Sequence, residues 1–167
     1  GDWSSDVCSS DLSFLGTVTP MKKSRPLTVA VSGCVAQLQG KALLKRHPGI
    51  DLVLGPDSVN RIHELVQAAR YQRIVDTDFL DDTGAYPFAS DLDPDSVGKV
   101  GAFVTIQKGC DNKCTFCIVP TTRGVEVSRP SEQVLEEVPS LVASGVSEIT
   151  LLAQYVNSYG LKGGIPF

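Results

Sequence analysis

Long apolar runs are missing from this 167-residue chain, and so is any excess of positive charge. No unbroken apolar stretch approaches the roughly 20 residues that a membrane-spanning helix requires, so no transmembrane helix is expected. Fifteen Lys and Arg stand against nineteen Asp and Glu, a net charge of −4. A protein that grips phosphates normally carries a basic surplus, so a nucleic-acid docking surface here must be a local patch or lie outside these residues. Histidine is scarce as well, since His47 and His63 are the only two, and few imidazole ligands are on offer to a metal. The first dozen residues, "GDWSSDVCSSDL", have neither the Lys/Arg start nor the apolar core of a secretory signal, so export is not their explanation. What the chain does have is the makeup of a soluble globular protein, 42% apolar and 20% charged. Its length suits one domain, or one domain and part of another.

Cysteine is not lacking, but its layout excludes a disulfide framework. There are five, an odd number, and three of them crowd into residues 110–117. Such a cluster in a reducing compartment more often holds metal, which argues for a cytoplasmic protein. In "QKGCDNKCTFCIVP" the thiols of Cys110, Cys114 and Cys117 can converge from one loop. Soft thiolates select zinc or iron–sulfur clusters. A structural zinc site would need a fourth Cys or His. Of the two histidines, His47 suits a basic helix C-terminus and His63 a solvated helix face, so neither is a natural fourth ligand. Ferredoxin sites use four cysteines. A cluster with one coordination position left open fits the spacing better than either.

Along the chain, residues 1–12 repeat the triplet SSD and hold the only Trp. They resemble the translated read-through of a sequencing adaptor, and we set them and Cys8 aside from fold reasoning. From residue 13 to about 80 the pattern alternates. "LTVAVS" at 27–32 reads as a strand buried on both faces, and Val35, Leu38, Ala42 and Leu43 fall near helical spacing, with Pro48 and Gly49 as a stop. "IDLVLG" reads as a second strand. Val59, Ile62, Leu65, Val66 and Ala69 share one face of a second helix, and "RIVDTD" is a third strand. This strand–helix alternation predicts βαβ units on a parallel sheet. Residues 81–98, within an acidic run rich in Asp, Gly and Pro, read as a linker. A second unit over 99–167 opens with a strand at about 101–107, followed by the cysteine loop. Next comes a helix that starts near Ser128 or Ser131 and ends before Gly145, with Val134, Leu135, Val138, Leu141 and Val142 inward. Pro139 inside it predicts a kink or a break. "VSEITLLAQ" is the next strand. One strand–loop–helix–strand passage is far short of a closed sheet, so this domain is expected to be cut off.

The three-cysteine spacing resembles that of the radical S-adenosylmethionine (SAM) enzymes, with the aromatic Phe116 before the third thiol. The flanks narrow the likeness. "GCDNKCTFCIVPTTRGVEVSRP" at 109–130, "LLAQYVNSYG" at 151–160 and "GCVAQLQG" at 33–40 followed by "DLVLGP" together resemble the tRNA methylthiotransferases. They are most similar to members that convert isopentenyl-adenosine beside the anticodon into its 2-methylthio derivative. The resemblance implies an α/β chain: a partial parallel-sheet domain, then the start of a radical SAM (β/α) partial barrel. It implies that Cys110, Cys114 and Cys117 hold a 4Fe-4S cluster whose open iron takes SAM, and that Phe116 belongs to the cofactor site. It also implies that Cys34 ligates a second, auxiliary 4Fe-4S cluster whose other two cysteines are not matched here. Cys34 is otherwise a small buried hydrophobe at a strand end. Gln154 and Asn157, after a barrel strand, are expected to contact SAM or substrate, or else to close their loop by hydrogen bonds. Arg123 and Arg129 could meet phosphate or the SAM carboxylate, or form salt bridges.

The further implications are a tRNA substrate, a flavodoxin or ferredoxin as reductant, a monomer, and an RNA-binding domain beyond Phe167. Two SAM molecules are used per product, one as methyl donor to sulfur and one as radical source, and the protein ligates, orients and shields. These residues alone are expected neither to methylthiolate nor to retain a cluster robustly. Two other functions remain open: the relatives that modify a ribosomal protein aspartate share the cysteine loop, and a non-enzymatic zinc-stabilised module would use the same thiols.

Overall fold

The computed structural model describes residues 9–80, 86, 88 and 100–161. The chain is α/β and divides into two compact units with the break after Phe79. Residues 1–8, with Cys8, and the expected linker at 81–98 apart from Tyr86 and Phe88 lie outside the described residues. No described helix is long and apolar enough to cross a membrane.

In the first unit, helix α1 (Ser9–Val18) and a 3-10 turn (Thr19–Lys23) precede a three-stranded parallel sheet. Helix α1 is not expected from the sequence, because its apolar residues follow no strong period. The sheet runs β1 (Ala30–Ser32), β2 (Leu52–Leu54), β3 (Ile74–Asp76), in spatial as in chain order. Alternate residues point to opposite faces. Val31, Val53 and Val75 therefore pack with Leu15, Ala36 and Leu43 on one side, while Leu52, Leu54 and Ile74 pack with Leu65 and Ala69 on the other. The strand buried on both faces is β2, not β1. Leu52, Val53 and Leu54 are wholly shielded, worth roughly 1.5–3 kcal/mol apiece. β1 is an edge strand, and its Ala30 and Ser32 are exposed.

The connecting helices depart from the predicted faces. Helix α2 (Cys34–Arg46) is broken at Gly40, whose φ of 43° and ψ of −119° are not helical. The break shifts the phase, so Ala36, Gly40 and Leu43 are buried and Leu38 is left 52% exposed. The predicted second helix is a 3-10 segment (Pro56–Arg61) running into α3 (Ile62–Ala68). A tighter turn displaces Val59 and Ile62 from the inward face, and only Leu65 and Ala69 of the predicted set are fully buried.

The second unit pairs β4 (Gly101–Thr105) with β7 (Glu148–Leu152) in parallel. The predicted 101–107 strand is split at Ile106. Beyond that residue, β5 (Gln107–Lys108) leaves for an antiparallel ladder with β6 (Val127–Ser128), a hairpin too short to show a period in sequence. Helix α5 (Ser131–Ala143) covers one face of the parallel pair, joining Val134 and Leu141 to Val104, Ile106, Val146 and Tyr159. Leu135 and Val142, expected inward, are exposed. Pro139 does not break α5, because the proline is on its exposed side, where a carbonyl without a partner can bond water. The helix ends at a Schellman turn, with Val146 N–H donating to Leu141 O and Gly145 N–H to Val142 O, at 3.1 and 3.0 Å.

Candidate metal centre

Thr105 and Leu152 are partners at the carboxyl ends of β4 and β7. Parallel α/β proteins build their sites at that edge. The cysteine loop leaves it through β5, and Gln154, Asn157 and the 3-10 turn Val156–Ser158 leave it directly from β7. Opposite α5 the sheet presents an open face with Phe103, Thr105, Thr150 and Leu152 exposed.

Gly109 sets the root of the cysteine loop. Its φ of +71° lies in the left-handed region, and a Cβ there would strike the Val125 carbonyl and come within 2.7 Å of Gly124 O. Only glycine lets the two backbones approach this closely. Cys110 N–H then donates to Gly124 O at 3.2 Å, tying the first cysteine to the segment after α4 (Val119–Arg123). Cys110 is 8% exposed, Cys114 is exposed and Cys117 half-buried, and all three are free thiols. A turn closes between the second and third, Cys117 N–H to Cys114 O at 3.1 Å. Phe116, on that turn, is 95% exposed.

Three free thiols on one irregular loop are a donor set that fits an iron–sulfur cluster. Among the described residues, however, no three His, Cys, Asp or Glu side chains are grouped closely enough to hold a metal. The three thiols are thus gathered along the chain without being drawn into a finished cage.

Cys34 is the first residue of α2, half-buried, and lines an apolar cleft of about 600 Å3 with Leu15, Val31, Val35 and Leu43. His63 is exposed on α3, and His47 caps the basic end of α2 half-buried. Arg129 proves structural. It is 1% exposed, ion-paired with Glu137, and its Nη1 donates to Thr105 O at 3.3 Å. Arg123 is half-buried at the end of α4.

Gln154 and Asn157 are both exposed, and their turn is closed by the Ser158 amide, which donates to Tyr155 O at 3.1 Å. Ser158 Oγ accepts from Gln107 Nε2 at 2.9 Å and reaches Glu126 Oε2 at 2.7 Å. Tyr159 O–H donates to Arg129 O at 2.9 Å. Its pKa is raised above the usual 10.0, chiefly by burial and then by the Glu132 charge, against a smaller opposing pull from Arg129. Gln107, Glu126, Ser158 and Tyr159 were not singled out from sequence. Ser158 and Tyr159 stand inside "VNSYG" and Glu126 inside "TRGVEVSRP", motifs that did mark the segments.

Residues 104–162 match the Radical SAM superfamily. Relatives described as tRNA-2-methylthio-N(6)-dimethylallyladenosine synthases align along nearly the whole chain. The one from Anaeromyxobacter sp. (strain K) is 48% identical over 93% of the chain and 33% of its own length. Those from Myxococcus xanthus, at 48%, and Geobacter metallireducens, at 47%, cover 93% and 90% of the chain. The chain spans about a third of the length of these curated relatives. With the cysteine loop inside the matched superfamily segment and the likeness continuing through both units, the chain is a homologue of the radical SAM tRNA methylthiotransferases over about a third of their length.

Proposed function

We propose that Cys110, Cys114 and Cys117 ligate a 4Fe-4S cluster with one iron open to SAM. We further propose that the protein carrying these residues attaches a methylthio group to carbon 2 of isopentenyl-adenosine in tRNA. The observation that carries this reading is the 48% identity, over 93% of the chain, to relatives described as synthases of that modification. Cys34 is the auxiliary-cluster ligand in this reading, and its apolar cleft would keep water from a thiolate-bound group. When bound at the cysteine loop, the cluster supplies the electron for reductive cleavage of SAM.

The chain's own contribution is placement. Gly109 and the Cys110 amide fix where the loop leaves the sheet, and Gln154 and Asn157, which follow β7 at the same strand edge, contact SAM or substrate in this reading. Phe116 and the open sheet face with Phe103 and Leu152 offer apolar surface for shielding. The partners in this reading are tRNA and a flavodoxin or ferredoxin reductant, met in the cytoplasm by a monomer.

Anaerobic reconstitution of the full-length gene product tests it. Brown protein with roughly four irons lost in a Cys110/Cys114/Cys117 triple alanine variant, and 5′-deoxyadenosine on reduction with SAM, are expected. Tetrahedral zinc in place of iron, with no deoxyadenosine formed, would sink the reading.

A further inference from the structure

The segment Gly124–Arg129 runs between the cysteine loop and the turn carrying Gln154 and Asn157, and it is bonded to both. Towards the loop, Gly124 O accepts from Cys110 N–H, and Glu126 N–H donates to Asp111 Oδ1 at 3.0 Å. Towards the turn, Gly160 N–H donates to Ser128 Oγ at 3.3 Å and Tyr159 O–H to Arg129 O. Glu126 reaches both ways through its own groups, its amide to Asp111 and its carboxylate to Ser158.

Ser158 has one hydroxyl proton and two acceptors in range, Glu126 Oε2 at 2.7 Å and Tyr155 O at 2.8 Å. An ionised carboxylate outcompetes a neutral carbonyl for it. Ser158 Oγ then uses a lone pair on Gln107 Nε2, and Gln107 is fully buried on β5, the strand that delivers the cysteine loop. The relay therefore begins and ends on the cysteine side and passes through the turn in the middle. Ser158 is next to Asn157 and is 7% exposed, so its hydrogen bonds are shielded from competing water.

We propose that Glu126 is a positioning residue which, through Ser158, holds the Gln154–Asn157 turn in register with the cysteine loop. This rests on the reading of that loop and turn as the SAM site. Loss of the carboxylate frees Ser158 to turn to Tyr155 O, leaving the turn closed on itself but uncoupled from the loop.

The test uses the full-length gene product, with SAM as the probe. In Glu126→Ala, amide hydrogen exchange at Ser158, Tyr159 and Gly160 is expected to rise roughly tenfold, and SAM affinity to fall by a similar factor. Exchange at Val104 should be unchanged, which reports an intact sheet. Ser158→Thr keeps the hydroxyl and should retain wild-type exchange and affinity. Glu126→Ala with Ser158→Ala together should be no worse than Ser158→Ala alone, since the serine variant already breaks the Glu126 bond. Wild-type exchange in Glu126→Ala, or effects of the two alanines that add, would overturn the proposal. If exchange responds as expected while even the wild-type protein binds no SAM, the positioning role stands and it is the SAM reading that fails.

Discussion

Tyr159 and Arg129 show how single side chains hold the second unit together around the site. Both are nearly excluded from water, 5% and 1% exposed, and each satisfies backbone carbonyls, Tyr159 that of Arg129 and Arg129 those of Thr105 and Gln133. Arg129 is surrounded by Glu137, Thr105 O, Gln133 O and the Phe88 ring, whose centroid is 5.9 Å away. Burying so much charge is tolerable because the charge is paired and hydrogen-bonded. The raised pKa of Tyr159 carries a consequence for stability. Above pH 10 the phenol ionises in the unfolded chain before it does in the folded one, so the folded state holds the extra proton. Stability is thus fully present below about pH 10 and falls as pH rises towards the folded value. Tyr159→Phe should lose about 1 kcal/mol at neutral pH with the hydrogen bond to Arg129 O. It should also flatten the decline that begins above pH 10 in urea titrations. A decline as steep as wild type in the variant would mean that other groups cause it.

At the scale of elements, α5 contains a residue that its helix does not need. Pro139 lacks the N–H that would bond the carbonyl four residues earlier, yet it lies on the exposed side and α5 continues to Ala143. Alanine there should restore a helical bond and raise stability by about 1–3 kcal/mol, read as a higher Tm by thermal circular dichroism. A fall in Tm would show that the proline ring packs in a way the helix depends on. The same helix explains what sequence pattern could and could not reveal. Strand–helix alternation was legible because β2 and its neighbours are short, largely apolar runs between clear stops. Helix faces were less so: Leu38, Val59, Leu135 and Val142 sit at apolar spacing but outside. In α2 the cause is the non-helical Gly40, and before α3 it is the 3-10 turn, both of which change the period without changing composition. The site divides in the same way. Cys110, Cys114 and Cys117 announce themselves by spacing within one loop. The Glu126–Ser158 bond joins residues 32 positions apart, and no local period encodes such a pair.

For the molecule as a whole, charge decides how these residues can treat an RNA. Each phosphate that a protein neutralises must be met by a Lys or Arg, and the affinity gained comes largely from released counterions. Here 15 cationic side chains face 19 acidic ones, a net of −4 and an isoelectric point near 5.1. Several cations are already committed internally: Lys22 to Asp51, Arg61 to Asp76 and Arg129 to Glu137. Arg73 is spent on the carbonyls of Leu44, His47 and Ile50. A chain so arranged lacks the cationic surplus that a phosphate track draws on, and the forks of Arg61, Arg73 and Arg129 are already committed. The 167 residues by themselves should therefore bind tRNA no more tightly than the nonspecific range of about 10⁻⁴–10⁻⁶ M at physiological salt, with a shallow dependence on salt concentration. Filter binding of the isolated chain between 50 and 200 mM salt, roughly the range over which six to ten phosphate contacts would cost 10³-fold or more, checks this. A steep slope with nanomolar affinity would locate the tRNA-gripping surface within these two units. A shallow one would mean that these residues do not grip tRNA by its phosphates.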